Sequence, residues 1–321
     1  MSEHKSKCAA CGGADEFDAQ VALARLADRV DRLAGIVEQL AASAPPPVLR
    51  APSAAAVASA QDSRLPRPPG LAPVIQRIVG GAPTSLYPDC CLIGARNPNG
   101  TTGWFCTGVL VHPRIVLTAG HCFPEHRSAV VALGASDQNQ LQSAELIDVL
   151  RIQVHPKYLE TRRVADVTVL VLKVPANTPP VAIATTDEIA SALRTRLVGF
   201  GNSDVNSTRG FGIKREVDVD LLSVRRAAGD QLEEAEASYG YEADLEFVAG
   251  GQGYDTCNGD SGGPAYVLLG PGVRKVAGLT SRAIVQSATP CGDGGIYSRV
   301  DKHVDFIRSV MQAAKIADPG W

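Results

Sequence analysis

The chain has no apolar run near the roughly 20 residues that a membrane-crossing helix needs, which excludes a protein built on such spans. It has no basic excess either: 31 Lys and Arg against 34 Asp and Glu leave a net charge of −3. Nucleic acids and acidic membrane surfaces call for excess positive charge, so neither is an expected partner. No apolar h-region follows the charged opening of the chain, because Arg25, Asp28, Arg29, Asp31 and Arg32 interrupt the first hydrophobic stretch. By that criterion no secretory signal peptide is read. Metal-ligand patterning is thin. His4, Cys8 and Cys11 make only one half of a zinc site, and free or disulfide-linked thiols account for them better.

What the chain does carry is CNGDSGGP at 257–264. Acyl transfer to a serine needs a backbone open enough for a carbonyl oxygen to reach its amides, and Gly259, Gly262 and Gly263 around Ser261 have no Cβ in the way. The amides of Gly259 and Ser261 are therefore candidate donors to a developing oxyanion. A serine hydroxyl is a poor nucleophile at neutral pH and needs a histidine base oriented by a buried carboxylate. His121, in TAGHC after the apolar run ending at Leu117, is the candidate base. Asp166, opening DVTVLVL, is the candidate carboxylate at the mouth of a buried strand.

Composition divides the chain into four parts. Residues 1–16 form a cysteine-containing tail. In 17–42, Leu23, Leu26, Val30, Leu33, Val37 and Leu40 repeat at intervals of 3 and 4, a short heptad-like seam. It predicts an amphipathic, coiled-coil-like helix that either self-associates or packs on the rest of the chain. Residues 43–77 are rich in Ala and Pro and read as an extended, disordered linker ending at Arg77. From 78 to 321 the pattern turns to short strands: Val217, Val219 and Leu221 alternate with acids, and Val167, Val169 and Val171 are closely spaced. Only Val300, Val304, Ile307 and Met311 near the end follow helical spacing. That length is ample for one enzyme with a sizeable core.

Four separated motifs, RIVGG at 77–81, TAGHC at 118–122, DVTVLVL at 166–172 and CNGDSGGP, together resemble the trypsin/chymotrypsin family of serine proteases. The order His121, Asp166, Ser261 is that of chymotrypsin and not of subtilisin or the α/β-hydrolases. The resemblance implies an all-β domain of two antiparallel six-stranded Greek-key barrels with a C-terminal helix, preceded here by the N-terminal helix and linker. It implies disulfides Cys106–Cys122 and Cys257–Cys291, a polypeptide substrate and no cofactor. It further implies a zymogen: cleavage after Arg77 frees the amine of Ile78 to pair with Asp260, ordering the oxyanion loop. Six positions before the nucleophile, Asp255 is expected at the base of the substrate pocket, selecting Arg or Lys through charge-assisted hydrogen bonds. Thr256 adds a hydroxyl beside it, and Gly295 leaves one wall open.

The chain departs from the family in several places. Ser281, Arg282 and Ala283 stand where the family has Ser-Trp-Gly; Ser281 keeps the contact to the triad aspartate, Ala283 adds a methyl at the pocket entrance, and Arg282 replaces an aromatic floor. No cysteine flanks Val248, and Ala135 replaces a calcium-ligating glutamate, so no metal is expected. The segment 227–241 is an acidic insertion, read as a surface loop or short helix. Cys90 and Cys91 are candidate partners for the N-terminal cysteines, tethering that segment after cleavage. Disulfides belong to oxidising compartments, so the expectation leans towards a secreted, extracellular or periplasmic protein despite the missing signal. A catalytically silent protease-fold binding module and an assembly component built on the N-terminal helix are the competing readings.

Overall fold

The computed structural model of this protein describes residues 78–97, 99–123 and 128–321. The expectations placed on 1–16, 17–42 and 43–77, including Arg77, the N-terminal cysteines and self-association through the heptad seam, lie outside the described residues.

A two-residue strand, β1 (Ala82–Pro83), precedes six longer ones: β2 (Cys90–Arg96), β3 (Thr102–His112), β4 (Ile115–Thr118), β5 (Val130–Leu133), β6 (Glu145–Val154) and β7 (Thr168–Leu172). These six close into a barrel in the order β2-β3-β4-β7-β6-β5, all antiparallel. Six more follow: β8 (Arg194–Gly199), β9 (Arg215–Ser223), β10 (Glu246–Ala249), β11 (Pro264–Gly270), β12 (Val273–Ala283) and β13 (Gly295–Arg299). They close in the order β8-β9-β10-β13-β12-β11, the same Greek-key path repeated, with β1 added on β9. Closure removes the free edges that make open sheets liable to pair with other chains.

The strand β9 shows the alternation read from the sequence, with Val217, Val219 and Leu221 turned inwards and Asp220 and Leu222 outwards. In β7 every residue is buried, because its two faces serve two cores. Leu170 and Leu172 fill the first barrel with Ile93, Leu110 and Val131. Val169 and Val171 join Val198, Phe200, Tyr266 and Leu279 of the second barrel, so the barrels are held together by a shared apolar layer. The C-terminal helix closes that layer with Ile307, Val310 and Met311.

The same period of two corrects the reading of the adjacent cysteines. Cys90 points into the layer between the barrels and Cys91 into the first barrel, each fully buried and neither disulfide-bonded. Burial pushes the Cys91 thiol up and the Cys90 thiol well up. Neither is accessible to a tether; they pack as small hydrophobic residues.

One buried polar group makes stability depend on pH. His303, at the entry to the C-terminal helix, is 3% exposed, meets the ring of His155 edge-on at 4.9 Å, and has no hydrogen-bond partner for its Nε2 among the described residues. Burial first, then the neighbouring His155, lowers its pKa from 6.5 to about 4, against a weaker opposing pull from Asp301. The folded state therefore holds this ring neutral while the unfolded chain protonates it below 6.5. Stability should fall as pH drops from about 6.5 to about 4 and level off below, by about 3 kcal/mol for the full span. Denaturant midpoints across that range check it. His303→Phe should flatten the slope, and an unchanged slope in that variant would assign the dependence elsewhere.

Candidate active site

Register brings the first two site residues together. β4 pairs antiparallel with β7 so that Thr118 faces Thr168. The chain leaves β4 at Thr118 and coils through a 3-10 turn, Gly120–Cys122. Asp166 lies two residues before β7 begins, so the turn and the carboxylate meet at the same end of the barrel. His121 Nδ1 is 2.7 Å from Asp166 Oδ2, and the His121 amide donates to Oδ1 at 2.9 Å. Two bonds from one residue fix both the ring and the carboxylate. Ser281, at the end of β12, donates its hydroxyl to Oδ2 at 2.6 Å. Asp166 is fully buried. Burial alone would raise its pKa, but the hydrogen bonds and charge of His121 and the Ser281 hydroxyl hold it below the usual carboxylate range.

Ser261 comes from the second barrel, in the loop before β11. Its Oγ is 2.8 Å from His121 Nε2. Two contacts to Thr107 on β3 carry the loop across the gap: the Thr107 amide donates to the Ser261 carbonyl at 3.0 Å, and its hydroxyl to the Gly259 carbonyl at 2.8 Å. The approach leaves no room at Gly262, where a Cβ would come within 2.0 Å of the Thr118 hydroxyl at a φ of +76°. The Cys106–Cys122 disulfide braces β3 against the histidine turn, and Cys257–Cys291 braces the serine loop, as expected. The amides of Gly259 and Ser261 have no acceptor among the described residues.

Beside Ser261 opens a cavity of about 140 Å³, lined in part by Asp255, Thr256, Ser281, Ala283 and Gly295. Asp255 is 2% exposed. Its carboxylate accepts from the amides of Thr256 at 2.7 Å and Gly294 at 3.2 Å, and from the Tyr297 hydroxyl at 3.3 Å. Burial dominates these bonds and lifts its pKa to about 7. Arg163 and Arg282 line the same cavity, but neither pairs with Asp255 among the described residues. Gly295 keeps the carboxylate reachable, since a Cβ there would come within 2.9 Å of Asp255 Oδ1. Thr256 turns its hydroxyl to Tyr297 at 3.1 Å, and the methyl of Ala283 lies on the exposed rim.

Ile78 and Asp260, the pair expected to form on activation, are both buried in the second barrel. Ile78 is fully buried in the core of the second barrel, and Val79 accepts from the Asp255 amide at 3.2 Å. Asp260, also fully buried, accepts from the amides of Gly201 at 2.7 Å and Cys257 at 2.8 Å. Burial lifts its pKa to about 6. No hydrogen bond joins Ile78 to Asp260 among the described residues.

Two features were missed in the sequence. Arg282, in place of the aromatic residue, forks onto Glu246 at 2.6 and 2.9 Å, and Glu246 is fully buried. The signal was an isolated acid in the apolar strand Glu246–Ala249. Arg163, which lines the Asp255 cavity, carried no signal at all. The acidic insertion does contain a short helix, α2 (Glu233–Tyr239), the second after α1 (Thr186–Ser191), and it ends at Gly240 in the left-handed conformation.

The Trypsin family model matches residues 78–307. Among curated proteins the chain is similar to a trypsin of Saccharopolyspora erythraea, 27% identical over 74% of this chain and 100% of that protein. It is similar to serine protease snk of Drosophila melanogaster, at 29% over 74% of this chain and 58% of that one. Glucanase inhibitor protein 3 of Phytophthora infestans is 30% identical over 65% of this chain and 78% of its own length. A solved structure titled "Structure of GrC" matches in fold with a TM-score of 0.58 at 22% identity, over 73% of this chain and 99% of that one. With the family match spanning most of the chain, this protein belongs to the trypsin family and is a serine endopeptidase.

Proposed function

We propose that the chain hydrolyses polypeptides after Arg or Lys, with Ser261 as nucleophile, His121 as base and then acid, and Asp166 as the orienting anion. The observation that carries this reading is the line from Asp166 through His121 to Ser261, at 2.7 and 2.8 Å, ending beside a cavity that contains a buried carboxylate. Ser261 Oγ attacks the carbonyl carbon while its proton passes to His121 Nε2. Asp166 stabilises the imidazolium through Nδ1 and is not itself protonated. The oxyanion forms towards the amides of Gly259 and Ser261, donors whose strength is greatest where charge develops. His121 then protonates the departing amine, and water releases the acyl group by the reverse sequence. Production as a zymogen cut after Arg77 belongs to the same proposal.

Asp255 gives the reading its test. A guanidinium or ammonium binds its ionised form, and the empty site titrates near 7. Affinity for a small guanidinium compound should therefore fall about tenfold per pH unit below that value and level off above it. Asp255→Ser should abolish the pH dependence and lower kcat/KM on arginine substrates by roughly three powers of ten, as expected when a buried cation loses its partner. Calorimetry and peptide kinetics measure the two. A wild-type preference for Leu or Phe would refute basic specificity.

One relative, glucanase inhibitor protein 3, is named as an inhibitor and not a protease, which favours a second reading as a silent binding module. Labelling by a fluorophosphonate separates the two: the enzyme reading requires adduct on Ser261, and an unlabelled, folded protein would leave the binding module.

A further inference from the structure

Two cavities meet at the edge of the Ser261 cleft. The smaller contains Asp255; the larger, about 610 Å³, lies between the 160–163 segment, the α2 region and Val285. Arg163 and Arg282 line both and so form the partition between them. The larger cavity has three arginines and three glutamates in its lining, and their pairing is uneven. Arg282 is committed to the buried Glu246, and Arg162 pairs with Glu242. Arg163 reaches no carboxylate among the described residues; its Nη1 donates only to the Ser281 carbonyl, at 3.4 Å. Glu160 and Glu236 line the outer cavity alone, away from the partition.

The backbone holds Arg163 in this place against its own preference. Its φ is +51° and that of Ala165 is +54°, left-handed for two residues that carry a Cβ. Such conformations cost of order 1 kcal/mol each. They persist here because Leu159 donates to Val164, Arg162 to Leu159, and Arg282 reaches the Arg163 carbonyl. A guanidinium with five donors and one long bond, fixed at the wall of the cleft, has most of its hydrogen-bonding capacity free for a ligand.

We propose that Arg163 recognises a carboxylate side chain, Asp or Glu, in the substrate residue immediately before the one that enters the Asp255 cavity. Arg163 and Arg282 border both cavities, so a residue beside the one in the Asp255 cavity can reach the partition, where the uncommitted charge is positive. The fork of the guanidinium matches a carboxylate in two parallel bonds. The inference rests on the endopeptidase reading above but not on basic specificity.

The test is a set of peptides that differ only in that residue, with Glu, Ala or Lys, joined to whichever primary residue the wild-type enzyme prefers. Wild type should cleave the Glu peptide about tenfold faster than the Lys peptide in kcat/KM, the size expected for a partly exposed pair. The ratio should shrink towards one in about 1 M salt, where charges are screened within ~3 Å. Arg163→Lys should keep the order and Arg163→Glu should invert it. Because each ratio is taken within one preparation, a reduced folded fraction cancels, and if Arg163→Glu yields no active protein the salt dependence of wild type still decides. No preference, a preference for Lys, or an order unchanged in Arg163→Glu overturns the proposal. A primary residue other than Arg or Lys would refute basic specificity without touching this ratio.

Discussion

Replacing Ser261 by Ala should lower turnover on peptide bonds by about six powers of ten, roughly 8 kcal/mol of transition-state stabilisation. The size follows from the arrangement. His121 Nε2 has the Ser261 hydroxyl at 2.8 Å as its partner, so without Oγ the base has no proton to take and the carbonyl no nucleophile. What survives is the oxyanion donors and the binding of substrate, worth roughly 10³–10⁴ over water. Asp166→Asn should cost about four powers of ten, because an amide facing His121 Nδ1 at 2.7 Å favours the wrong tautomer. The losses should not add: Ser261→Ala with Asp166→Asn should be no slower than Ser261→Ala alone, since the residues act as a unit. Kinetics on one peptide at matched concentrations of folded protein measures all three enzymes. A Ser261→Ala protein with wild-type turnover, free of contaminating protease, would refute the assignment.

The candidate constellation could be picked out in the sequence because the proposed chemistry demands residue types that are rare in combination, and the register of β4 against β7 brings His121 and Asp166 to one barrel end. The repeated barrel path was legible through the resemblance and not through periodicity, which marks strands but not their order. Partners chosen by tertiary structure were not legible. Nothing in the local pattern of Arg282 names Glu246, 36 residues away, although an acid in an otherwise apolar strand must find a cation. Adjacency alone did not settle the fates of Cys90 and Cys91, because neighbours on a strand face opposite ways and only the fold buries both ways here. His303 carried no signal in the sequence either, because its lowered pKa comes first from burial and then from the ring of His155, and the tertiary fold sets both.

The protein should activate itself by cutting after Arg77, and Arg77→Gln should leave it full-length and nearly inactive. Arginine before the scissile bond is the side chain that the Asp255 cavity is proposed to take. The consequence of cleavage follows from what surrounds the new terminus. Ile78 lies in the core of the second barrel, and Val79 accepts from the amide of Asp255, so order at the terminus is coupled directly to the substrate pocket. Among the described residues, buried Asp260 has the amides of Gly201 and Cys257 as hydrogen-bond donors, and burial lifts its pKa to about 6. A freed ammonium beside it would favour the ionised carboxylate, lower that pKa and strengthen the loop carrying Gly259 and Ser261. Activity in a purified sample near neutral pH should therefore show a lag and then accelerate, since each product molecule is a new catalyst. Mass spectrometry should find a chain beginning at Ile78 in wild type and intact chains in both Ser261→Ala and Arg77→Gln. Equal trimming of Ser261→Ala would assign the cut to another protease. Full activity of uncut Arg77→Gln would show that Asp260 needs no ammonium, and the zymogen reading would fail.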